Sequence, residues 1–373
     1  MPRLNQSLTA TLLTCGIAAT AASLTGGCAS GDATEKSGSA AVAGLDLDTG
    51  VLGYRQSWIG VAPISGSPSQ VKNLGENVGV VDGRGNLILL AGSTGAFRWT
   101  GVNPNAYTKV RDVLPTARGY ALVDEGEVIA FAADTGELTA RQQVARVVST
   151  SVAGVGPLVM YGSSGGELCA HDARLGFKAW SYHLGAPVLS APVAIIDRLV
   201  GVVAQDGSVF VVDAASGSTV GTARTAGGQA TDPVAGEGLM FIASLDQSLY
   251  AISADPAVRI KWRMRTETPL NRQPMYAAGR VFLTVPGKGL TAVNAASGKP
   301  DWINDKLSGN PIAVRGANVI IRSGEELTAV EMATGRTVGS VKVPGLVQAS
   351  GGSAEGPLLL ALRDGRVIKL VSK

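Results

Sequence analysis

The sequence predicts an all-β protein built from one repeated unit of about 40 residues, and three observations support this. A turn position recurs at nearly constant spacing, at Gly95, Gly136, Gly176, Gly217, Ala257, Gly298 and Gly335. Eight residues before each of these positions stands an aliphatic residue, and a residue that is usually small follows two places later on the same strand face. Helical periodicity is hard to find beyond the first 25 residues. Short strands joined by tight turns are therefore expected.

In chain order, each unit contains the signals of four short strands. Prolines recur about one repeat apart before an apolar run, at Pro192, Pro233, Pro274 and Pro311. Proline has no N–H to donate, so it suits the first residue of a strand. The stretch "LVGVVAQDGSVFVV" around Asp206 and Gly207 predicts a hairpin between the second and third strands. A fourth strand ends in tryptophan or a substitute, and four antiparallel strands per repeat make a propeller blade.

The two ends of the chain decide the number of blades. The third-strand pattern occurs eight times, and its last copy, "RVIKLVSK" at 366–373, stops before any turn. Trp58 lies one repeat before Trp99 with no blade in front of it. These fragments complete each other, because pairing them removes two exposed edges. The sequence predicts an eight-bladed β-propeller over 53–373, with a last blade shared by strands around Trp58 and Ile368.

The N-terminus predicts export and a lipid anchor. Arg3 precedes an apolar stretch at 8–24, and "TGGC" follows it, which is typical of a lipoprotein signal peptide at 1–27. Cys28 would then be the lipid-attachment residue. The alternative is ordinary cleavage nearby, with Cys28 incidental. Residues 28–52 are small and polar, which predicts a flexible tether.

Composition and motifs argue against several functions. The formal net charge is +3 with no long basic block, so nucleic acid is not expected as a partner. If Cys15 is removed with the signal peptide and Cys28 carries the lipid, Cys169 is left alone, and neither an intramolecular disulfide nor a cysteine metal cage can form. No nucleophile elbow, phosphate loop or histidine-rich cluster occurs. We therefore expect no catalytic residue, no cofactor and no metal site.

Three other features each have a functional and a structural interpretation. Cys169 and His171 share a strand face and could ligate a metal, but His171 falls in the repeat column of Leu90 and Phe131, which predicts a buried, hydrogen-bonded core residue. The basic stretch "RIKWRMR" at 259–265 fits an anionic-partner patch or a solvated outer strand with Trp262 turned inward. Acidic and Asn side chains in 76–86 could bind a cation, but Asp82 and its glycines already suit a hairpin turn.

The phrases "DGSVFVVDAASGSTVG" and "GLTAVNAASGKPDW" resemble the repeat of PQQ-type β-propellers, over about residues 53–373. A lipoprotein-like signal, a short tether, a lone propeller and a closing "RDGRVIKLVSK" are similar to the BamB family of scaffold lipoproteins. The resemblance implies a cofactor-free scaffold, lipid-anchored at the outer membrane and facing the periplasm. It also implies that loops of the middle blades bind a BamA-like protein partner during β-barrel assembly. The corresponding loops are short here, at 181–195 and 225–235, so no contact residue is carried over.

Two alternatives to this scaffold remain. One is another cell-envelope binding module of the same fold, with a protein or glycan ligand. The other is a quinoprotein dehydrogenase, because related propellers hold PQQ and Ca²⁺ at the axis. Such enzymes resemble one another in having an adjacent cysteine pair, which this chain lacks.

Overall fold

The part of the chain that the structure describes forms eight four-stranded antiparallel sheets. The structure is a computed structural model that describes residues 47–373 except 107, 145, 174–175, 229–230 and 255–256. The predicted signal peptide 1–27, Cys28 and most of the tether lie outside the described residues. In the described part, no helix is long and apolar enough to cross a membrane.

The chain enters the fold through a short 3-10 helix (Thr49–Leu52) and strand β1 (Tyr54–Val61). Blades 1 to 4 follow, each with four strands. Blade 1 has β2 (Gln70–Leu74), β3 (Asn77–Val81), β4 (Leu87–Ala91) and β5 (Phe97–Gly101), and blade 2 has β6 (Val110–Thr116), β7 (Gly119–Asp124), β8 (Glu127–Ala132) and β9 (Leu138–Gln143). Blade 3 has β10 (Ala153–Val155), β11 (Leu158–Gly162), β12 (Glu167–Asp172) and β13 (Phe177–His183), and blade 4 has β14 (Val193–Ile196), β15 (Leu199–Val203), β16 (Ser208–Asp213) and β17 (Thr219–Arg224).

Blade 5 has β18 (Val234–Gly236), β19 (Leu239–Ser244), β20 (Ser248–Ser253) and β21 (Arg259–Arg265), and blade 6 has β22 (Met275–Ala277), β23 (Arg280–Val285), β24 (Gly289–Asn294) and β25 (Pro300–Asn304). Blade 7 has β26 (Asn310–Arg315), β27 (Asn318–Ser323), β28 (Glu326–Glu331) and β29 (Thr337–Lys342). Blade 8 takes its other three strands from the end of the chain: β30 (Leu346–Ser350), β31 (Leu358–Leu362) and β32 (Arg366–Ser372). The first strand of each blade lies innermost, where β14 packs beside β18 and β18 beside β22.

The predicted closure of the ring by both chain ends is confirmed. Blade 8 has the order β1-β32-β31-β30, so the N-terminal strand is its outermost member. In this antiparallel pair Trp58 faces Lys369 and Ile59 faces Ile368. The inner strand β30 also packs against β2 of blade 1. The fold is therefore an all-β, eight-bladed propeller.

The core lies between the faces of successive blades. The aliphatic column that begins each third strand is fully or almost fully buried: Leu87, Val128, Leu168, Val209, Leu249, Leu290, Leu327 and Val367. Two residues later, six of the eight positions have no exposed area: Leu89, Ala170, Val211, Ala251, Ala292 and Ala329. Lys369 and Ala130, which occupy the other two positions, are partly exposed.

All five tryptophans of the chain seal a junction between blades. Each Nε1–H donates to a backbone carbonyl of the next blade, at 2.8–2.9 Å: Trp58 to Gly92, Trp99 to Ala133, Trp180 to Ala214, Trp262 to Ala295 and Trp302 to Met332. The indole ring covers the turn glycine three residues further on. At Gly136, with φ 71°, a Cβ would overlap the Trp99 ring. This close approach and the positive φ together require glycine.

Three blades carry a small residue at the tryptophan position. Ala140, Gly221 and Gly339 pair with Ala130, Val211 and Ala329 in the same register. Val258 fills the space beside Gly221, since a Cβ there would lie 2.8 Å from Val258 Cγ2. Val51 fills the space beside Gly339, where an added Cβ would lie 3.1 Å from Val51 Cβ.

The predicted tether ended at residue 52, but its last residues belong to the ring. The 3-10 helix packs on β29 of blade 7, Leu52 has no exposed area, and Thr49 is buried. Thr49 Oγ1 also donates to the Tyr54 carbonyl at 3.1 Å. The apolar residues Val51 and Leu52 explain this packing, because they cover a junction that lacks its tryptophan.

Candidate protein-interaction rim

One end of the propeller collects two kinds of loop. Because neighbouring strands run antiparallel, the hairpin between the second and third strands and the connection to the next blade emerge at the same end. Backbone hydrogen bonds join them: Leu184 donates to Gly166 at 2.8 Å, and Thr225 donates to Gly207 at 2.9 Å. We use the name loop rim for this end of the ring from the connection after blade 1 to the hairpin of blade 5. It comprises the described residues of 102–109, 125–126, 144–152, 163–166, 184–192, 204–207, 225–233 and 245–247.

Large apolar side chains are exposed along the loop rim. Val102 is 65% exposed, Val147 57%, Leu189 51% and Leu245 47%. The first three lie on consecutive connections between blades, and Leu245 lies on the hairpin of blade 5. Apolar side chains on loops held by a rigid scaffold are a common arrangement at protein-binding surfaces.

The connection 102–109 is held by a buried polar network. Asp124 has no exposed area, and its Oδ2 accepts from Asn105 Nδ2 at 3.0 Å and from Thr108 Oγ1 at 2.7 Å. Glu127, also buried, accepts from Asn105 Nδ2 at 2.9 Å and from Arg141 Nε at 2.8 Å. Buried carboxylates that find such donors fix the loop that carries Val102.

The connections 184–192 and 225–233 are tied to each other near the axis. Asp232 Oδ1 accepts from the Ala191 N–H at 2.6 Å, and the Asp232 N–H donates to Gln273 Oε1 at 3.2 Å. Burial raises the pKa of Asp232, with Asp112 adding to the effect and the Ala191 hydrogen bond opposing it. Blades 4, 5 and 6 are thereby linked at the rim in spite of their short loops.

Cys169 and His171 lie in the core of the propeller. Cys169 is fully buried, and burial raises the pKa of its thiol to about 11. His171 is 3% exposed, burial lowers its pKa, and its Nε2–H donates to Gln142 Oε1. The described residues contain no group of three or more His, Cys, Asp or Glu side chains suited to a metal. The prediction of a buried, hydrogen-bonded histidine is confirmed.

The stretch 76–86 forms the predicted hairpin. Asp82 Oδ1 accepts from the backbone N–H groups of Arg84 and Asn86, both at 2.9 Å, and Asp82 Oδ2 accepts from the Ser65 N–H at 3.0 Å. The carboxylate therefore organises the turn.

The basic stretch 259–265 is β21, the outer strand of blade 5. Its four basic residues are exposed at the surface and Trp262 is half-buried, as the outer-strand interpretation predicted. The Arg263 guanidinium lies 5.1 Å from the centre of the Tyr250 ring and 3.4 Å from Asp246. These contacts fix Arg263 on the surface of its own blade.

A cavity of about 500 Å³ lies beside the inner strands of blades 4 to 8. Val193, Val234, Pro274 and Pro311 line it together with Ser350–Ser353, and none of its described lining residues is acidic. Binding of PQQ with Ca²⁺ needs carboxylate and amide oxygens around the metal. The lining residues do not fit that group.

The fold is an eight-bladed propeller with PQQ-like repeats. The family model of outer membrane protein assembly factor BamB matches residues 124–231 and 205–367, more than half of the chain. The chain therefore belongs to the BamB family.

Curated relatives agree with this membership, and solved structures share the fold. BamB of Burkholderia pseudomallei is 32% identical over 160 residues, 41% of each chain, and BamB of Bordetella pertussis is 28% identical over 196 residues, 51% of this chain and 48% of the relative. The chain thus spans less than half the length of the curated relatives it matches. The crystal structure of Moraxella catarrhalis BamB superposes with a TM-score of 0.69 at 18% identity, covering 86% of this chain and 98% of that one. The designed protein Ika8 gives the same TM-score at 11% identity, covering 86% of this chain and all of its own, which shows a shared fold alone.

Proposed function

We propose that this chain is a non-catalytic scaffold of the cell envelope that binds a protein partner during assembly of outer-membrane β-barrel proteins. Its family membership supports the process, and the exposed apolar side chains of the loop rim support the mode of action. The observation that carries the proposal is the presence of Val102, Val147 and Leu189 on three successive connections at one end of the ring. A partner that covered them would bury apolar surface held by a preformed scaffold.

The test is affinity purification of the full chain from envelope extract. A BamA-like assembly protein should copurify with the wild type and be lost with Leu189→Asp, because a charge would be buried in the interface. Val338→Asp is the matched control, since Val338 is 46% exposed on the outer strand β29. Equal recovery with both variants would contradict a role for the rim. Recovery of a glycan or an unrelated envelope protein in place of an assembly protein would contradict the proposed process.

We also propose that residues 1–27 are a signal peptide and that Cys28 carries the lipid anchoring the protein to the periplasmic face of the outer membrane. The "TGGC" pattern and the family's outer-membrane role support this. Metabolic labelling with an alkyne fatty acid should tag the wild type and not Cys28→Ala, and Cys15→Ala is the control. Labelling of Cys28→Ala at the wild-type level would overturn the assignment.

A further inference from the structure

The junction between blades 2 and 3 lacks the tryptophan that seals five other junctions. Ala140 occupies the position, and a cavity of about 600 Å³ remains between the outer strand of blade 2 and the turn of blade 3. Thr116, Arg118, Phe131 and Gly176 are among the residues that line it. This volume lies in the range of about 300–1,000 Å³ typical of ligand pockets.

The exposure of Ala130 shows that the cavity at this junction is open to solvent. Ala130 pairs with Ala140 and is partly exposed, whereas Ala170, which pairs with Trp180, has no exposed area. At the two other junctions without tryptophan, Val258 and Val51 supply apolar cover, and the paired residues Val211 and Ala329 are fully buried. Among the described residues, no apolar side chain covers Ala130 in the same way.

The cavity keeps the features that receive an indole at the other junctions. Each tryptophan covers a turn glycine and donates to the carbonyl three residues before it; the corresponding residues here are Gly176 and Ala173, and both line the cavity. Gln142 lies against Gly176 and accepts from His171, so its amide occupies one end of the space. The floor of the cavity is apolar: Ala130 is partly exposed there, and the Phe131 side chain behind it is 1% exposed.

Charge at the mouth narrows the choice of occupant. Among the lining residues that the structure describes, Arg118 is the single charged one, and it is exposed. We propose that this cavity is a docking site for an aromatic side chain, best a tryptophan, presented by an extended protein segment with an acidic residue beside the aromatic one. The aromatic side chain would pack on Ala130 next to the Gln142 amide, which already lies against Gly176. This site is separate from the loop rim and does not depend on the proposed function.

The test uses purified full-length chain and a fluorescently labelled, end-blocked peptide of sequence TVTWDVT, read by anisotropy. The peptide should bind the wild type at least tenfold more tightly than TVTADVT. Ala140→Trp should weaken binding at least tenfold and raise the melting temperature, because the chain then fills its own site. Ala130→Leu, which fills the cavity from its floor, is a second variant in case Ala140→Trp folds poorly.

The charge assignment has its own control. Arg118→Glu should reverse the preference, binding TVTWKVT more tightly than TVTWDVT at low salt. Unchanged affinity of TVTWDVT for Ala140→Trp and Ala130→Leu would overturn the proposal. So would an absence of binding at millimolar peptide while Ala140→Trp stabilises the fold, since the cavity would then be a packing defect only. Because no envelope component is present, failure here leaves the rim proposal untouched.

Discussion

The junctions between blades 1 and 2 and between blades 2 and 3 are built on the same turn and packed differently. At the first, Trp99 is 5% exposed and lies with its ring 5.7 Å from Tyr120 and 6.4 Å from Phe131, centre to centre. At the second, Ala140 leaves a cavity. Yet the turn glycines have similar φ angles, 71° at Gly136 and 80° at Gly176. The glycine is thus kept where its packing partner is lost, because the backbone of the turn requires it.

The largest effect should come from opening the ring in which both junctions sit. Deleting 366–373 removes β32, which separates β1 from β31. The deletion would leave β1 and β31 with unpaired edges and would remove the buried side chains of Ile368 and Leu370. We expect loss of a cooperative thermal transition, measured by circular dichroism. Removing Lys373 alone is the control, and a wild-type melting curve for the longer deletion would contradict the closure.

Trp99→Ala would leave the junction between blades 1 and 2 without its tryptophan, as the junction between blades 2 and 3 already is. We expect a loss of about 3–5 kcal/mol in the free energy of unfolding, measured by urea denaturation, because a buried indole and its hydrogen bond to Ala133 disappear. Ala140→Gly is the matched change at the open junction and should cost about 0.5–1 kcal/mol. Similar losses for the two variants would show that the tryptophan does not seal its junction.

The turn glycines offer a finer comparison. Gly136→Ala and Gly176→Ala impose the same left-handed backbone on alanine, at about 1–2 kcal/mol each. At Gly136 the new methyl group also meets the Trp99 ring, adding about 1–3 kcal/mol of overpacking. At Gly176 it meets the flexible end of Gln142, which can move away. Urea denaturation should therefore rank Gly136→Ala as the costlier change, and the reverse order would break the comparison.

The smallest effect should be a pH dependence of stability that comes from His171, beside the cavity between blades 2 and 3. Burial holds the pKa of His171 below its usual 6.5. Below about pH 6.5 the unfolded chain binds a proton that the folded chain does not, so His171 makes the wild type less stable as the pH falls. His171→Val, which copies Val212 in the same repeat column, should lose less stability between pH 7 and pH 5. His183 is present in both proteins, and parallel pH profiles would contradict the assignment.

The sequence predicts the blades and their closure because the repeat fixes the register of the strands. Each turn position marks where the third strand of its blade ends, and it also marks the place on which the tryptophan of the preceding blade packs. The replacements for missing tryptophans are not predictable in this way. Val51 comes from a segment before the first repeat, and Val258 follows the turn position Ala257 of the next blade, where the residue type varies from blade to blade. The exposed residues of the loop rim were also missed, since a single exposed Val or Leu in a loop resembles many others until the topology brings Val147 and Leu189 to one end.

The proposed scaffold would bind its partner through the loop rim. Photo-crosslinking in living cells tests this most directly, with benzoylphenylalanine placed at Leu189 or at Val338, two exposed positions on different surfaces of the ring. We predict an adduct with an outer-membrane assembly protein from Leu189 and none from Val338. Equal adducts from both positions, or an adduct from Val338 alone, would contradict the claim.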